Sequence, residues 1–127
     1  MTSADADKRS RAPKILCTGI TVLDEVFQVE KFPEPDGKVQ AKGFFVVNGG
    51  CAANAAVAIA RLGARAALAG PLGGPPGEDG NGDRVLAALA REGVDTTGCE
   101  RIAGLATALS AIFIDAHGDR MIVTYRD

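Results

Sequence analysis

The chain has 127 residues, of which 46% are hydrophobic and 24% are charged, and its formal net charge is -2. This balance is typical of one ordinary globular domain, and it lacks the basic surplus expected of a nucleic-acid-binding protein. No apolar run approaches the roughly eighteen residues that a membrane span needs, and the N-terminus has no secretory signal, so we expect a cytoplasmic chain without a membrane partner.

The cysteine and histidine content argues against a disulfide framework or a metal site. The three cysteines, Cys17, Cys51 and Cys99, are widely spaced and never form a Cys-x-x-Cys pair. His117 is the only histidine. It lies in a turn-forming segment between two apolar runs, so we predict that it is a solvated turn residue. We therefore predict reduced thiols and no metal bound by this chain.

The first strand-like segments follow a polar N-terminal tail. Residues 1–12 lack hydrophobic periodicity and are predicted to be disordered. The apolar run at residues 15–17 predicts a short buried strand that ends at Gly19, and residues 22–29 predict a second strand. Asp24 interrupts this second run, just beyond the first strand. Open α/β folds place ligand contacts there, but a turn or capping aspartate looks the same, so both interpretations remain open.

A turn then leads to another predicted strand. Residues 33–37, with two prolines and a glycine, form a turn cluster. Residues 38–47 alternate in their first half and become continuously apolar from Phe44 onward. This pattern predicts a strand whose first half has one solvent-exposed face and whose second half is buried or covered by a partner.

The stretch from Asn48 to Gly63 predicts a glycine-opened loop that leads into a buried helix of small residues. Gly49 and Gly50 can adopt positive φ and let a ligand approach the main chain, and the free amides of the first helical turn can donate to ligand oxygens. One interpretation is a tight turn into a helix packed on a sheet. The other is a ligand site that includes Asn54, the polar residue of the first turns. A Rossmann dinucleotide site is disfavoured because Gly-x-Gly-x-x-Gly is absent.

The middle of the chain predicts a strand, a loop and a second helix. Residues 64–69 predict a weak, alanine-rich strand, and residues 70–77, rich in glycine and proline, predict a loop. Asn81 is expected to cap the following helix, which Gly93 ends. The apolar stripe of this helix consists of Val85, Leu86 and Leu89.

The last third of the chain changes to strand-like patterns. Residues 107–114 and 121–125 are β-rich runs joined by a turn at His117 and Gly118, which indicates a hairpin. Helices that alternate with strands and precede a hairpin indicate a mostly parallel α/β sheet with a smaller antiparallel element.

Short motifs of glycines, charged residues and apolar residues follow one another along most of the chain. They are Gly19, Asp24, Phe32, Pro33 and Gly37; then Gly49, Gly50, Asn54, Ala56 or Val57, Ala60, Leu62 and Gly63; then Gly77, Glu78, Asp79, Gly82, Leu86, Leu89 and Gly93 to Thr96. Together they resemble the N-terminal part of the ribokinase (PfkB-type) family of sugar kinases, over about Lys14 to Asp127. The resemblance implies a ribokinase-like α/β fold over residues 13–127: a mostly parallel sheet flanked by helices, with a small antiparallel β lid whose strands lie near residues 38–47 and 105–126. Residues 70–77 depart from the family pattern by extra glycines and prolines.

The resemblance also implies a reaction and a site. Kinases of this family transfer the γ-phosphate of ATP to a primary hydroxyl of a small carbohydrate, and their sugar contacts correspond here to Asp24, Gly49, Gly50 and Asn54. ATP and Mg²⁺ are the implied cofactors, and the lid implies a possible homodimer. The family's anion hole and general base lie in a Gly-Ala-Gly-Asp-like loop that has no match here. We therefore expect no catalytic residue in this chain and no sugar phosphorylation by the 127 residues alone.

Other interpretations remain open. Arg120 and Arg126 flank the final strand and would ordinarily be solvated, but Arg126 could instead bind the acidic group of a sugar acid. The family also contains nucleoside kinases, and Phe44, Phe45 and Tyr125 are too few aromatic residues to decide for or against a base-stacking lid. A third hypothesis is a truncated, non-catalytic sugar-binding fragment.

Overall fold

The computed structural model describes residues 13–127, so the disorder predicted for residues 1–12 lies outside the described part. Seven strands and two helices form within this range. The strands are β1 (Lys14–Thr18), β2 (Val22–Gln28), β3 (Gly43–Gly49), β4 (Arg65–Gly74), β5 (Asp95–Ala103), β6 (Ala108–Ile114) and β7 (Arg120–Tyr125). The helices are α1 (Cys51–Arg61) and α2 (Gly80–Arg91).

The strands divide between two sheets. β1, β4 and β5 form a three-stranded parallel sheet in the order β1-β4-β5, which we call the body sheet. The other four form the lid sheet in the order β3-β2-β6-β7, in which β2 and β6 are parallel and the two outer pairs are antiparallel. The predicted α/β fold with a lid is confirmed. The lid is larger than expected and not wholly antiparallel, because β2 joins it between β3 and β6.

The core forms where the two helices pack on the body sheet and on Leu23 of the lid sheet. α2 contributes Val85 and Leu89, which are fully buried as their predicted stripe requires. From α1 the buried residues are Ala53, Ala56 and Ala60. The prediction of a buried helix is wrong for the opposite face of α1, because the helix packs on the sheet with one side only. The exposed residues of that face are Cys51, Asn54, Ala55, Ala58 and Arg61.

Glycines end both helices, as predicted. Gly63 and Gly93 have φ angles of 92° and 77°, in the left-handed region that glycine adopts without strain. The start of α2 differs from the prediction, because Asp79 and not Asn81 is the N-cap. The Asp79 side chain accepts a hydrogen bond from the Asn81 amide, which already lies in the first turn.

β1, which was predicted to be buried, is exposed, and so is the apolar half of β3, which was predicted to be buried or covered by a partner. β1 is an edge strand of the body sheet, and Leu16 keeps 60% of its surface exposed. β3 begins at Gly43 instead of residue 38, and Phe44 and Phe45 are exposed on this outer strand of the lid sheet. An edge strand lacks a neighbour on one side, whatever its hydrophobicity. The alternative that a partner covers β3 remains a prediction.

β4 extends through residues that were predicted to form a loop. Residues 71–74 pair with residues 100–103 of β5, so the loop shrinks to residues 75–79. The glycines here permit close approach, since a Cβ on Gly70 would overlap the carbonyl oxygen of Gly19. Strand pairing therefore outweighs the local turn preference of glycine and proline.

The C-terminal hairpin is confirmed. β6 and β7 are antiparallel neighbours. Asp115 organises the turn between them, because its Oδ1 accepts hydrogen bonds from the amides of His117 and Asp119 at 2.8 and 3.0 Å. His117 is exposed, as predicted.

Candidate functional site

Asp24 lies in the middle of β2, where its neighbours on the adjacent strands are Val47 and Ser110. Its carboxylate contacts Gly49 at the end of β3. A Cβ on Gly49 would overlap the Oδ2 atom of Asp24, so the carboxylate occupies the space that a side chain would need. The structure thus brings together the predicted carboxylate and the predicted glycine loop.

Asp24 is the first of three polar residues in a row across the lid sheet. Asp24, Ser110 and Thr124 occupy paired positions on β2, β6 and β7. Ser110 is buried, and its Oγ lies 3.1 Å from Oγ1 of Thr124. Partial burial raises the pKa of Asp24, and a hydrogen bond with Ser110 offsets this only in part. A partly desolvated carboxylate beside hydroxyl groups is a strong acceptor for the hydroxyls of a ligand.

Ser110 and Thr124 were not predicted as site residues. Both lie in β-rich runs, where serine and threonine are ordinary. The available signal was that Ser110 interrupts the otherwise apolar run of residues 108–114. That interruption does not show which residue Ser110 contacts, because only the register between β2 and β6 sets Ser110 beside Asp24.

Gly50 connects β3 to α1 in a backbone conformation that suits glycine. Its φ is 93°, and a Cβ would lie 2.7 Å from the carbonyl oxygen of Ile20. Thr21 holds the same loop by donating its hydroxyl to the Gly49 carbonyl at 3.2 Å. The Gly50 carbonyl accepts the first helical hydrogen bond, from the amide of Asn54 at 2.9 Å. The amides that precede Asn54 in α1 have no acceptor within the helix and can donate to a ligand.

Asn54 lies one turn into α1 and has an exposed side chain. It lines a groove of about 520 Å³ between α1, α2 and β3, together with Arg61 and Arg91. Arg61 donates two hydrogen bonds to the Glu92 carboxylate, at 2.8 and 2.6 Å. Asn54 and Arg61, seven residues apart in α1, therefore lie on the same side of the helix. Asp24 does not line this groove, so the structure places Asp24 beside the glycine loop but does not bring it together with Asn54 in the groove.

Arg126 follows β7 and lines a cavity of about 300 Å³ at the carboxyl end of the body sheet. Ile20 and Thr21, which pack against Gly50, line the same cavity. Ile102 and Leu105 contribute apolar walls. Arg126 is thus near the glycine loop and away from the groove that Asn54 lines.

Comparison with known proteins identifies the family. The pfkB family carbohydrate kinase model matches residues 12–127. The chain belongs to this family. Carbohydrate kinases of the pfkB family are ATP-dependent phosphotransferases.

This pfkB family member is similar to kinases with different substrates. A fructokinase from Solanum tuberosum is 35% identical over 114 residues, which cover 88% of this chain and 34% of that protein. A nucleoside kinase from Methanocaldococcus jannaschii is 49% identical over 55 residues, 43% of this chain and 18% of that protein. A crystal structure from Agrobacterium tumefaciens, assigned as a ribokinase, matches with a TM-score of 0.84 and 39% identity over 91% of this chain and 37% of that chain. The ribokinase-like fold is thereby confirmed, and the chain spans about a third of the length of the fructokinase and the ribokinase.

The described residues of this family member contain no cluster of metal-ligating side chains. Within residues 13–127, no group of three or more His, Cys, Asp or Glu side chains could hold a metal ion. The three cysteines are free, as predicted. Neither helix of the described range is long and apolar enough to cross a membrane.

Proposed function

We propose that this chain is the sugar-binding part of an ATP-dependent kinase that phosphorylates a primary hydroxyl of a small carbohydrate. The observation that carries the proposal is the contact between the Asp24 carboxylate and Gly49, which sets a charged acceptor beside the loop that opens α1. Family membership supports the reaction type.

The proposed binding mode divides the sugar hydroxyls between side chains and main chain. Asp24 accepts hydrogen bonds from sugar hydroxyls, and the main chain at Gly49 and Gly50 binds others. Asn54 is proposed as a further contact because of its position in the family signature. A buried polar group without a partner costs about 1–3 kcal/mol, so a sugar that lacks the matching hydroxyl would be rejected.

ATP is the proposed phosphoryl donor, with Mg²⁺ as its proposed counter-ion. Neither is assigned to a residue of the described range, in which no group of three or more metal-ligating side chains occurs. Phosphoryl transfer needs a phosphate cradle and a residue that positions or deprotonates the acceptor hydroxyl. For the 127 residues alone we therefore propose sugar binding without turnover, and ATP-dependent sugar phosphate formation by the pure chain would contradict this.

A titration of the isotope-labelled chain with fructose, ribose and a nucleoside tests the proposed site. For the substrate, we expect saturable amide shifts centred on Asp24, Gly49 and Gly50. Asn54→Ala should weaken binding by about tenfold without lowering the melting temperature, because its side chain is exposed. Shifts confined to the groove near Arg91, or no shifts with any compound, would contradict the site.

A sugar acid is a narrower substrate class that the position of Arg126 favours. The cavity that Arg126 lines shares Ile20 and Thr21 with the surroundings of Gly50. A guanidinium binds a carboxylate through two parallel hydrogen bonds. Arg126→Ala should then abolish a preference for acidic over neutral sugars, whereas Arg120→Ala, at the other end of β7, should leave it unchanged.

A nucleoside kinase is the second candidate function. The local identity to the archaeal nucleoside kinase favours it, since 49% over 55 residues exceeds the identity to the fructokinase. The same titration separates the two functions. Tighter binding of a nucleoside than of its free sugar would favour the nucleoside, and the reverse order would favour the carbohydrate.

The proposed assembly is a homodimer through the lid sheet, in the cytoplasm. The lid strands expose several large hydrophobic side chains, namely Phe44, Phe45, Val47, Met121, Ile122, Val123 and Tyr125. Sedimentation velocity should show a dimer that Val123→Glu converts to a monomer. Leu62→Glu, at an exposed hydrophobic residue outside the lid, should leave the dimer intact. The free cysteines suit a reducing compartment.

A further inference from the structure

Two segments of the chain meet at the Asp79 side chain. Oδ1 of Asp79 caps α2 by accepting a hydrogen bond from the Asn81 amide at 3.1 Å. Oδ2 accepts a hydrogen bond from the amide of Thr107 at 2.9 Å. Thr107 lies in the passage from β5 of the body sheet to β6 of the lid sheet, directly before β6. One carboxylate therefore joins the start of α2 to the start of a lid strand.

Thr107 also bonds to the body sheet through its side chain. Its Oγ1 accepts a hydrogen bond from the amide of Gly73, near the end of β4, at 2.8 Å. Thr107 is buried, with 4% of its surface exposed. Both the amide and the hydroxyl of Thr107 are thus held by residues outside the lid.

Arg101 of β5 ties the same segments together. Its side chain is 10% exposed, and its guanidinium donates to the Asp83 carboxylate at 2.7 Å and to the Asp79 carbonyl at 3.2 Å. Nε of Arg101 donates to the carbonyl of Gly73. The end of β4 and the first turn of α2 are therefore fixed to each other as well as to Thr107.

Two glycines provide the space in which these groups meet. A Cβ on Gly73 would overlap Oδ2 of Asp79, and it would lie 2.6 Å from the amide nitrogen of Thr107. A Cβ on Gly82 would lie 2.9 Å from Oγ1 of Thr107 and 3.1 Å from the Arg101 guanidinium. Neither position has room for a larger residue without displacing the cluster.

We infer that Asp79 is a positioning residue for the sugar site, which it serves by fixing the start of β6. Ser110 is the third residue of β6, which begins directly after Thr107, and it is paired with Asp24. A shift of Thr107 would move Ser110 relative to Asp24 and so change the acceptor geometry that the sugar meets. This inference rests on the proposed function, but its structural part can be tested without a sugar.

Asp79→Asn separates the two roles of the carboxylate. Asparagine is also a good N-cap, so α2 should persist. Its side chain has one acceptor oxygen in place of two, and so cannot accept from both Asn81 and Thr107. Thr107→Val removes the hydroxyl that accepts from Gly73, and Thr107→Ser retains it.

Sugar affinity and amide hydrogen exchange should be measured on the full 127-residue chain. In Asp79→Asn and Thr107→Val, we expect sugar binding to weaken by about tenfold and the amides of residues 108–110 to exchange faster. Thr107→Ser should keep the sugar affinity and the amide exchange rates of the unmodified chain. The control is Asp95→Asn, because Asp95 accepts from the Thr97 amide at 3.0 Å and pairs with Lys14 at the far end of the body sheet. This control should lower stability without changing sugar affinity.

The results distinguish failure of this inference from failure of the proposed function. If the unmodified chain binds sugar and both variants bind it equally well, Asp79 is not a positioning residue. If the unmodified chain binds no sugar, the proposed function fails, and exchange alone decides whether Asp79 fixes β6. Unchanged exchange at residues 108–110 in Asp79→Asn would overturn the inference in either case.

Discussion

The Asp24 carboxylate occupies the space that a side chain on residue 49 would fill, so this position requires glycine. The sequence indicated each residue separately, Gly49 by its position before a helix and Asp24 by its position after a strand. Their contact could not be predicted, because it depends on how β2 pairs with β3. Ser110 was not predicted as a site residue for a similar reason, since only the register of β2 and β6 sets it beside Asp24.

Asp24→Asn should stabilise the folded chain at neutral pH. Burial raises the pKa of Asp24 above its ordinary 3.8, so ionisation of this group costs stability once the pH exceeds both the unfolded and the folded pKa. Below the unfolded value the carboxyl is protonated in both states and the cost is absent. The stability advantage of the neutral variant should therefore fade as the pH falls through this range. Melting curves at several pH values check this, and a variant that is less stable at neutral pH would contradict it.

Gly49→Ala should destabilise the chain by about 1–3 kcal/mol, because the new methyl group and the Asp24 carboxylate cannot occupy the same space. Gly80→Ala is the matched control, since a Cβ there meets no atom within 4 Å. At this helical position alanine should be neutral or slightly stabilising. Urea denaturation of both variants measures the difference. Equal stability of Gly49→Ala and the unmodified chain would mean that the contact with Asp24 does not constrain the loop.

At the scale of elements, α1 and β4 show where sequence patterns stop being informative. The glycine that ends α1 was predicted correctly, but a run of alanines contains no contrast that tells the buried face from the exposed one. Ala53 and Ala56 are completely buried, and Ala55 between them is exposed. In β4, residues 70–74 have the composition of a loop and become a strand because β5 supplies a partner.

Ala56→Leu should destabilise the chain by about 1–3 kcal/mol, because Ala56 is fully buried in the core and a larger side chain would overpack it. Ala55→Leu makes the same chemical change on the exposed face. It should alter stability by no more than about 0.5 kcal/mol. Thermal melts of the two variants side by side provide the measurement. Similar melting temperatures for both would show that the assigned helix face is wrong.

At the scale of the whole molecule, the chain passes between the body and lid sheets at glycines. Gly19 lies between β1 and β2, Gly50 between β3 and α1, and Gly104 between β5 and β6, and all three have positive φ. The order of the family motifs predicted the two-part fold because several of them fall at or beside these passages. The exposure of the outer strands could not be predicted, since it depends on what lies next to each sheet edge.

The affinity of the chain for its sugar, measured by calorimetry with and without Asp24→Asn, tests the central claim most directly. The unmodified chain should bind one sugar of the panel saturably, and the variant should bind it at least about tenfold more weakly, because the sugar hydroxyls lose a charged acceptor. A melting curve of this variant at the same pH distinguishes a loss of binding from a loss of fold. Equal affinity in the two chains, or no binding by the unmodified chain, would contradict the claim that Asp24 and the glycine loop before α1 hold the sugar.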